Sequence, residues 1–419
     1  MDRKDRMAPF RDNHTYKKLN GEERDFISRI SDQYQLTFQD IKMLIDISRD
    51  LSIWDEGNLS GLWNIPDDEN LKGKQLKQHL MNNVKDRWEQ LKKGLNDYSK
   101  FSGRTDSSGK TNFVRLNDES TILGSCPVAS EKTRCCNLKT LDVVLNCGFD
   151  CTYCSIQSFF DNDRVYFHEN LEEKLRKLNL DPAKRYHIGT GQSSDSLMWG
   201  NREGILDKLN SFAGENRNVI LELKTKSRNI AWLLENDVAP NIFATWSLNT
   251  PAIAGNEEHF AASPEQRLES ARKVADKGIP VGFHFHPIVH YKGWEDDYKS
   301  LTTSIQNMFS PEEVALLSMG TLTYIKPVIR KIRDREMKSK ILEMPMIDAG
   351  GKLSYPIEIK RELFGTVYNS FSEDWKKEVF FYLCMEDQSL WEPLFGRSYR
   401  NNEEFENDMI ESYFRKVPL

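Results

Sequence analysis

Apolar residues recur at three- and four-residue intervals through the first hundred positions, then alternate in short runs, and this change of period divides the chain. Over 22–34, Phe26, Ile27, Ile30 and Tyr34 share one helical face. The run Thr37-Phe-Gln-Asp40 is a capping box opening a second helix with Ile41, Leu44, Ile45 and Leu51. A third helix is predicted over 75–98, where Leu76, Leu80, Val84, Trp88, Leu91, Leu95 and Tyr98 keep the spacing. Residues 1–98 read as a helical N-terminal domain. The Ser/Gly/Thr-rich stretch 99–111 begins a linker and lead-in that runs to 140.

Beyond that point, strand-like runs fall at Leu141–Asn146, Arg185–Thr190, Val219–Lys224, Ile242–Leu248, Val281–Ile288 and Val314–Leu322, with amphipathic helices such as Leu171–Leu178 and Pro264–Lys277 between them. This alternation predicts an α/β fold, a partial (β/α)6 barrel over 141–325 whose active site lies at the C-terminal strand ends. Residues 326–419, rich in aromatics, are expected to form a mixed C-terminal extension packed on the barrel.

The chain has 419 residues and 48.8 kDa, enough for one large catalytic domain with terminal additions. Its net charge of -6 and pI near 5.9 argue against bulk attraction to nucleic acid while permitting a local basic face. The first ten residues are charged where a signal peptide is apolar, and no apolar run reaches membrane-spanning length, so a cytoplasmic location is expected. Seven cysteines, an odd number, point in a reducing compartment to ligands and packing more than to disulfides. Cys384, in Val-Phe-Phe-Tyr-Leu-Cys-Met, reads as a buried apolar residue.

The richest chemical signal is Asn-Cys-Gly-Phe-Asp-Cys-Thr-Tyr-Cys, which sets Cys147, Cys151 and Cys154 at CxxxCxxC spacing just after the first strand. Three thiolates hold three irons of a cubane cluster and leave the fourth open to a small molecule. Radical S-adenosylmethionine (SAM) enzymes use that arrangement. A structural zinc site is the alternative, but it needs four ligands, and the nearest downstream donor, His168, fits no Cys/His spacing. Cys126 and the Cys135-Cys136 pair remain candidates to complete a zinc shell.

Polar residues gather at successive predicted strand ends: Gly189-Thr-Gly-Gln-Ser-Ser-Asp195, Lys224-Thr-Lys-Ser227, Ser247-Leu-Asn249 and His284-Phe-His-Pro287. Gly189 and Gly191 permit close backbone approach to a ligand, and Lys226 can neutralise a carboxylate. Any one of them alone is more simply a turn glycine or a solvated lysine, and their recurrence at one end of the sheet makes the case. His284, His286 and His290 raise the idea of a second metal, yet no carboxylate joins them in the strand, so a packing or single-ligand role is preferred. Residues 326–340 hold seven basic residues against two acidic ones, suited either to phosphate contact or to a solvated helix face.

Together these motifs resemble the spore photoproduct lyase family of radical SAM proteins, also described as DNA photolyase-like. The similarity runs from the cysteine loop through Gly-Thr-Gly-Gln-Ser-Ser-Asp-Ser-Leu, Lys-Thr-Lys-Ser, Trp-Ser-Leu-Asn and Pro-Val-Gly-Phe-His-Phe-His-Pro-Ile to His290-Tyr-Lys-Gly-Trp-Glu, over roughly 142–298. The resemblance implies a 4Fe-4S cluster on Cys147, Cys151 and Cys154 with SAM on the open iron. It further implies SAM contacts from Ser193, Lys226, Ser247 and the His286 backbone, with Asn249 nearby. One-electron reduction would give a 5'-deoxyadenosyl radical, and the substrate would be a methylene-bridged thymine dimer in DNA. A reducing electron donor is the other expected partner.

Two positions depart from the family pattern. The lyase returns a hydrogen atom from a cysteine at the end of the second strand, where this chain has Gln192. It also carries tyrosines on both sides of the third cluster cysteine; Tyr153 is kept and Ser155 replaces the other. Tyr153 and Gln192 are the catalytic candidates, with packing against the cluster the simpler role for Tyr153. The expected function is a radical SAM repair lyase. The alternatives are the same chemistry on another substrate, or a zinc-stabilised nucleic-acid-binding protein without catalysis.

Overall fold

Two capping boxes set the N-terminal helices. In α1 (Gly21–Gln33) Asn20 and Glu23 exchange side-chain to backbone bonds, a box the sequence reading did not name, and in α2 (Phe38–Trp54) Thr37 and Asp40 do the same, as the sequence predicts. The computed structural model describes residues 5–66, 71–103, 111–126, 133–160 and 164–417. Helix α3 spans Gly73–Lys93 and ends at Gly94, whose extended backbone stops it five residues short of the predicted end. The apolar spacing continues past Gly94, but Tyr98 turns into the barrel and donates to Glu257 at 2.9 Å. Ile27, Ile30, Leu44, Ile45, Leu80 and Val84 make a core separate from that of the barrel.

Among the described residues the main sheet has eight strands: β1 (Leu123–Ser125), β2 (Lys139–Leu141), β3 (Tyr186–Thr190), β4 (Val219–Thr225), β5 (Ile242–Leu248), β6 (Val281–Ile288), β7 (Val314–Thr321) and β8 (Phe380–Leu383). They lie in sequence order, all parallel except the β1–β2 pair. Strands β5 and β7 are buried at every residue, as expected of a curled parallel sheet covered by helices.

Two expectations are corrected here. The first predicted strand, Leu141–Asn146, is two pieces: β2 stops at Leu141, a tight turn closes from Val143 N–H to Leu141 O, and Val144–Leu145 joins a separate sheet with Asn112–Leu116 and Arg164–His168. The apolar residues on both sides of Asp142 conceal that turn. The parallel strands number seven rather than six, because Phe380–Leu383 leaves the expected extension and pairs with Leu316–Met319. Four residues among other aromatics carry too little pattern to announce a strand. Of the expected linker and lead-in, 104–110 and 127–132 lie outside the described residues, and the remainder supplies Asn112–Leu116, β1 and the start of β2.

The basic run also differs from the phosphate-contacting reading. Its helix α4 (Lys326–Asp334) packs on α2, where Arg333 makes two 2.7 Å bonds to buried Asp50 and lies 3.4 Å from Asp46. Lys338 pairs with Asp55 at 2.8 Å and Lys340 with Glu56 at 2.7 Å. These cations are satisfied by acidic residues of the helical N-terminus, so the run ties that region to the barrel. Among the described residues no helix is long and apolar enough to cross a membrane.

Candidate active site

The cysteine loop follows the small-sheet strand Val144–Leu145 and is fixed through its backbone. Asp150 and Cys151 pair antiparallel with His259 and Glu258, and Thr152 N–H donates to Glu257 O at 2.9 Å. Below the loop, the buried carboxylate of Glu257 accepts from the Thr152 hydroxyl, Tyr98 (2.9 Å), Ser339 (2.7 Å) and Lys340 N–H (3.0 Å). Arg335, just past α4, bonds Asp150 and Gln157 (3.0 Å), while the Gln157 amide donates to the Thr152 and Cys154 carbonyls at 2.9 and 2.8 Å. Gly148 sits where a Cβ would meet Met198 and Trp199 at 2.7 Å, so the loop closes there only without a side chain.

The strand ends complete the wall. At the end of β3, Gly191 has φ +84°, and a Cβ would lie 2.6 Å from Lys224 O. Ser193 and Ser194 donate to Val144 O (3.0 Å) and Asn146 O (2.7 Å), tying this loop to the cysteine loop. Asp195 accepts from Thr225 (2.7 Å), Lys226 N–H (2.7 Å) and Met198 N–H (2.8 Å), which locks the ends of β3 and β4 together. Arg267 donates to Ser247 O at 2.8 Å and pairs with Glu258, which also accepts from Tyr153 Oη. Lys226 stands 5.4 Å from the Tyr153 ring centroid.

Cys147, Cys151, Cys154, Tyr153, Gly191, Gln192, Ser193, Lys226, Ser247 and His286 line one cavity of about 700 Å³ at the C-terminal strand ends. The predicted site residues come together there with two exceptions. Gly189 lies within β3, in register with Glu222, and the Leu138 side chain covers it 3.3 Å from where a Cβ would stand. Asn249 is buried beside the site, donating to Pro287 O (2.9 Å) and accepting from Tyr298 (2.7 Å), so it positions the end of β6. His284 and His286 both reach the cavity and share Ser318 (2.5 and 3.3 Å), with His284 also bonded to Glu222 (2.6 Å), whereas His290 packs on Trp294.

Burial governs the electrostatics. It raises the thiols of Cys147 and Cys154 and pushes Cys151 up to about 12. Burial opposes the charge of Lys226, but Cys151 and Glu258 outweigh it and the net shift is upward. Burial likewise disfavours the Glu258 carboxylate, and Arg267 and Lys226 overcome it, so its pKa falls. The Tyr153 phenol is held well above its ordinary value by burial and by Glu258.

The sequence reading missed Glu257, Glu258 and Arg267, since an acidic pair and a helix arginine look like ordinary surface residues until long-range pairing buries them. It also misplaced Cys384. The thiol was expected in the core, but β8 delivers it to the cavity wall together with Cys126, Cys135 and Cys136. Cys135, accepting a hydrogen bond from Cys136, is lowered to about 6.

The family model for spore photoproduct lyase matches residues 131–351, more than half of the chain. The chain belongs to the spore photoproduct lyase family. Spore photoproduct lyase of Clostridium acetobutylicum is 26% identical over 222 residues, 51% of this chain and 64% of that protein. The Bacillus subtilis lyase is 24% identical over 203 residues, 46% and 59% of the two chains. The match thus spans under two thirds of the length of these relatives. Among solved structures, a spore photoproduct lyase double mutant with bound AdoMet and dinucleoside spore photoproduct superposes with TM-score 0.53 at 19% identity, covering 65% of this chain and 82% of that one. A single mutant of the lyase gives TM-score 0.55 at 17% identity, covering 68% and 89%. These likenesses establish a shared fold.

The resident group of radical SAM members of this fold is a 4Fe-4S cluster with three protein ligands, and the donor set fits it. Three thiols from one braced loop face a cavity large enough for a cluster and a small molecule, with a buried lysine beside them. Among the described residues, no three His, Cys, Asp or Glu donors gather closely enough to hold a single metal ion.

Proposed function

We propose that this protein is a radical SAM lyase that repairs a thymine-dimer lesion in DNA, most concretely the spore photoproduct. The observation that carries the reading is the convergence of the three loop thiols with Gly191, Ser193, Lys226, Ser247 and His286 on one cavity. Family membership and a related lyase holding AdoMet and dinucleoside spore photoproduct support the ligand classes. Cys147, Cys151 and Cys154 would hold the cluster. When bound with SAM and reduced by an electron donor, that group supplies a 5'-deoxyadenosyl radical for hydrogen abstraction.

The chain's own residues do the positioning. Lys226, kept charged, offers its ammonium to the SAM carboxylate, and the bare backbone at Gly191 lets that end of the ligand approach. The Glu258–Arg267 pair orients Tyr153, whose phenol keeps its proton at Oη. Gln192 supplies amide hydrogen bonds where the lyases use a cysteine, and this difference favours a second reading, the same radical chemistry on another substrate.

The test is 5'-deoxyadenosine formation by anaerobically reconstituted protein with reductant and SAM, comparing an oligonucleotide carrying the photoproduct with its undamaged twin. Stimulation by the lesion with thymine restored supports repair. Equal slow turnover with both supports the second reading, and a colourless zinc protein that leaves SAM intact rejects both.

A further inference from the structure

All seven cysteines of the chain line the same cavity, and the proposed radical chemistry uses three. The other four come from two places. Cys126 follows β1, its N–H bonded to Leu138 O at 3.0 Å, and Cys135 and Cys136 lie in the segment leading into β2. Cys384 directly follows β8, its N–H bonded to Met319 O at 2.8 Å.

The C-terminal part of the chain holds this arrangement. The last helix, α5 (Asn402–Arg415), and the turn before it bond the Cys135-Cys136 segment at four points. Arg134 donates to Tyr399 O and Arg400 O, both at 2.8 Å; Cys135 N–H donates to Asn402 at 3.0 Å; Asn137 donates to Glu406 at 2.8 Å. Thr133 bridges Asp387, three residues past Cys384. Neighbouring side chains of an extended strand point to opposite sides. Here Cys135 and Cys136 hydrogen-bond each other and both face the cavity, helped by the left-handed backbone of Asn137 (φ 49°).

The charges separate the thiols into two groups. Lys226 has Cys151 and Cys154 among its strongest neighbours, whereas Lys224, two residues back on the same face of β4, has Cys384 and Cys126. Cys384 in turn interacts with Cys126 and Cys135. Both lysines line the cavity, Lys226 on the side of the cysteine loop and Lys224 beside Glu222, Cys384 and Cys126.

We propose that Cys126, Cys135, Cys136 and Cys384 bind a second iron–sulfur cluster in this cavity, distinct from the one on Cys147, Cys151 and Cys154. Cys135 and Cys136 lie inside the span matched by the family model, and Cys126 and Cys384 lie outside it. Four thiolates suit a [2Fe-2S] or [4Fe-4S] cluster, with all irons of the set protein-bound. The inference does not depend on the substrate.

The experiment measures iron, zinc and acid-labile sulfide, with Mössbauer spectra, on full-length protein purified and reconstituted without oxygen. Three forms are compared: wild type, the triple variant C147A/C151A/C154A, and C126A/C384A. The triple variant is expected to keep about two to four irons per chain with matching sulfide, C126A/C384A about four, and wild type the sum of the two. A folded triple variant, judged by circular dichroism, that holds no iron would overturn the proposal. So would zinc in place of iron in that variant, or wild-type iron equal to that of C126A/C384A. If the triple variant does not fold, the wild-type to C126A/C384A ratio decides: about 1.5- to 2-fold supports the second cluster and unity refutes it.

Discussion

Glu257→Ala removes one buried carboxylate that collects hydrogen bonds from three separate segments: Tyr98 before the barrel, Thr152 in the cysteine loop, and Ser339 and Lys340 after α4. Three of the donors are hydroxyls, which rotate toward other acceptors at a loss of about 1 kcal/mol each. The Lys340 N–H cannot rotate, and leaving it orphaned costs about 1–3 kcal/mol. The sum is about 4–6 kcal/mol. Glu257→Gln keeps the shape and one accepting oxygen, so about 2 kcal/mol is expected. Urea unfolding followed by tryptophan fluorescence should show the Ala midpoint lowered by about 1–2 M with unchanged slope, and a smaller shift for Gln. Since Glu257 braces the cysteine loop without facing the cluster position, the Ala variant should also bind less iron than the Gln variant after identical reconstitution. A Glu257→Ala protein within 1 kcal/mol of wild type, or one in which Gln is the more damaging change, would refute this account of how the loop is held.

Arg333→Ala should leave DNA affinity unchanged while costing about 3–5 kcal/mol, because it strands the buried Asp50 carboxylate; weakened, less salt-dependent binding would restore the phosphate-contact reading. Gly191→Ala should cut SAM binding at least tenfold, measured by equilibrium dialysis, since its Cβ meets Lys224 O at 2.6 Å in a left-handed backbone; unchanged affinity would exclude this turn from the ligand site. Burial and the nearby Lys224 lower His284 to about 4, against about 6.5 when unfolded, so the folded state binds fewer protons across that window. Stability is therefore full above pH 6.5 and falls as pH drops toward 4, by at most about 1.4 kcal/mol per unit from this group. Glu222, lowered through His284 and His187 against its own burial, adds a loss of the same sign below its unfolded value of 4.5. A melting temperature that stays flat from pH 7 to 4.5 would contradict the His284 assignment, and one that stays flat below pH 4.5 would contradict that of Glu222.

Much of this protein was legible from local pattern. The capping box at Thr37, the strands Ile242–Leu248 and Val281–Ile288, and the CxxxCxxC loop all announce themselves, because helix caps, strand alternation and ligand spacing are set by neighbours within a few residues. The recurrence of polar residues at one end of successive strands placed the cavity before any coordinates did. Only the tertiary structure decided the rest. It ended α3 at Gly94, split Leu141–Asn146 at a turn, and recruited Phe380–Leu383 as a seventh parallel strand, each a choice between equally apolar alternatives made by long-range pairing. It turned the basic run into a clamp by burying Arg333 against Asp50. It also brought Cys384 to Cys126, Cys135 and Cys136 across some 250 residues of chain, a proximity that no local period encodes because the sheet edge and the last helix create it.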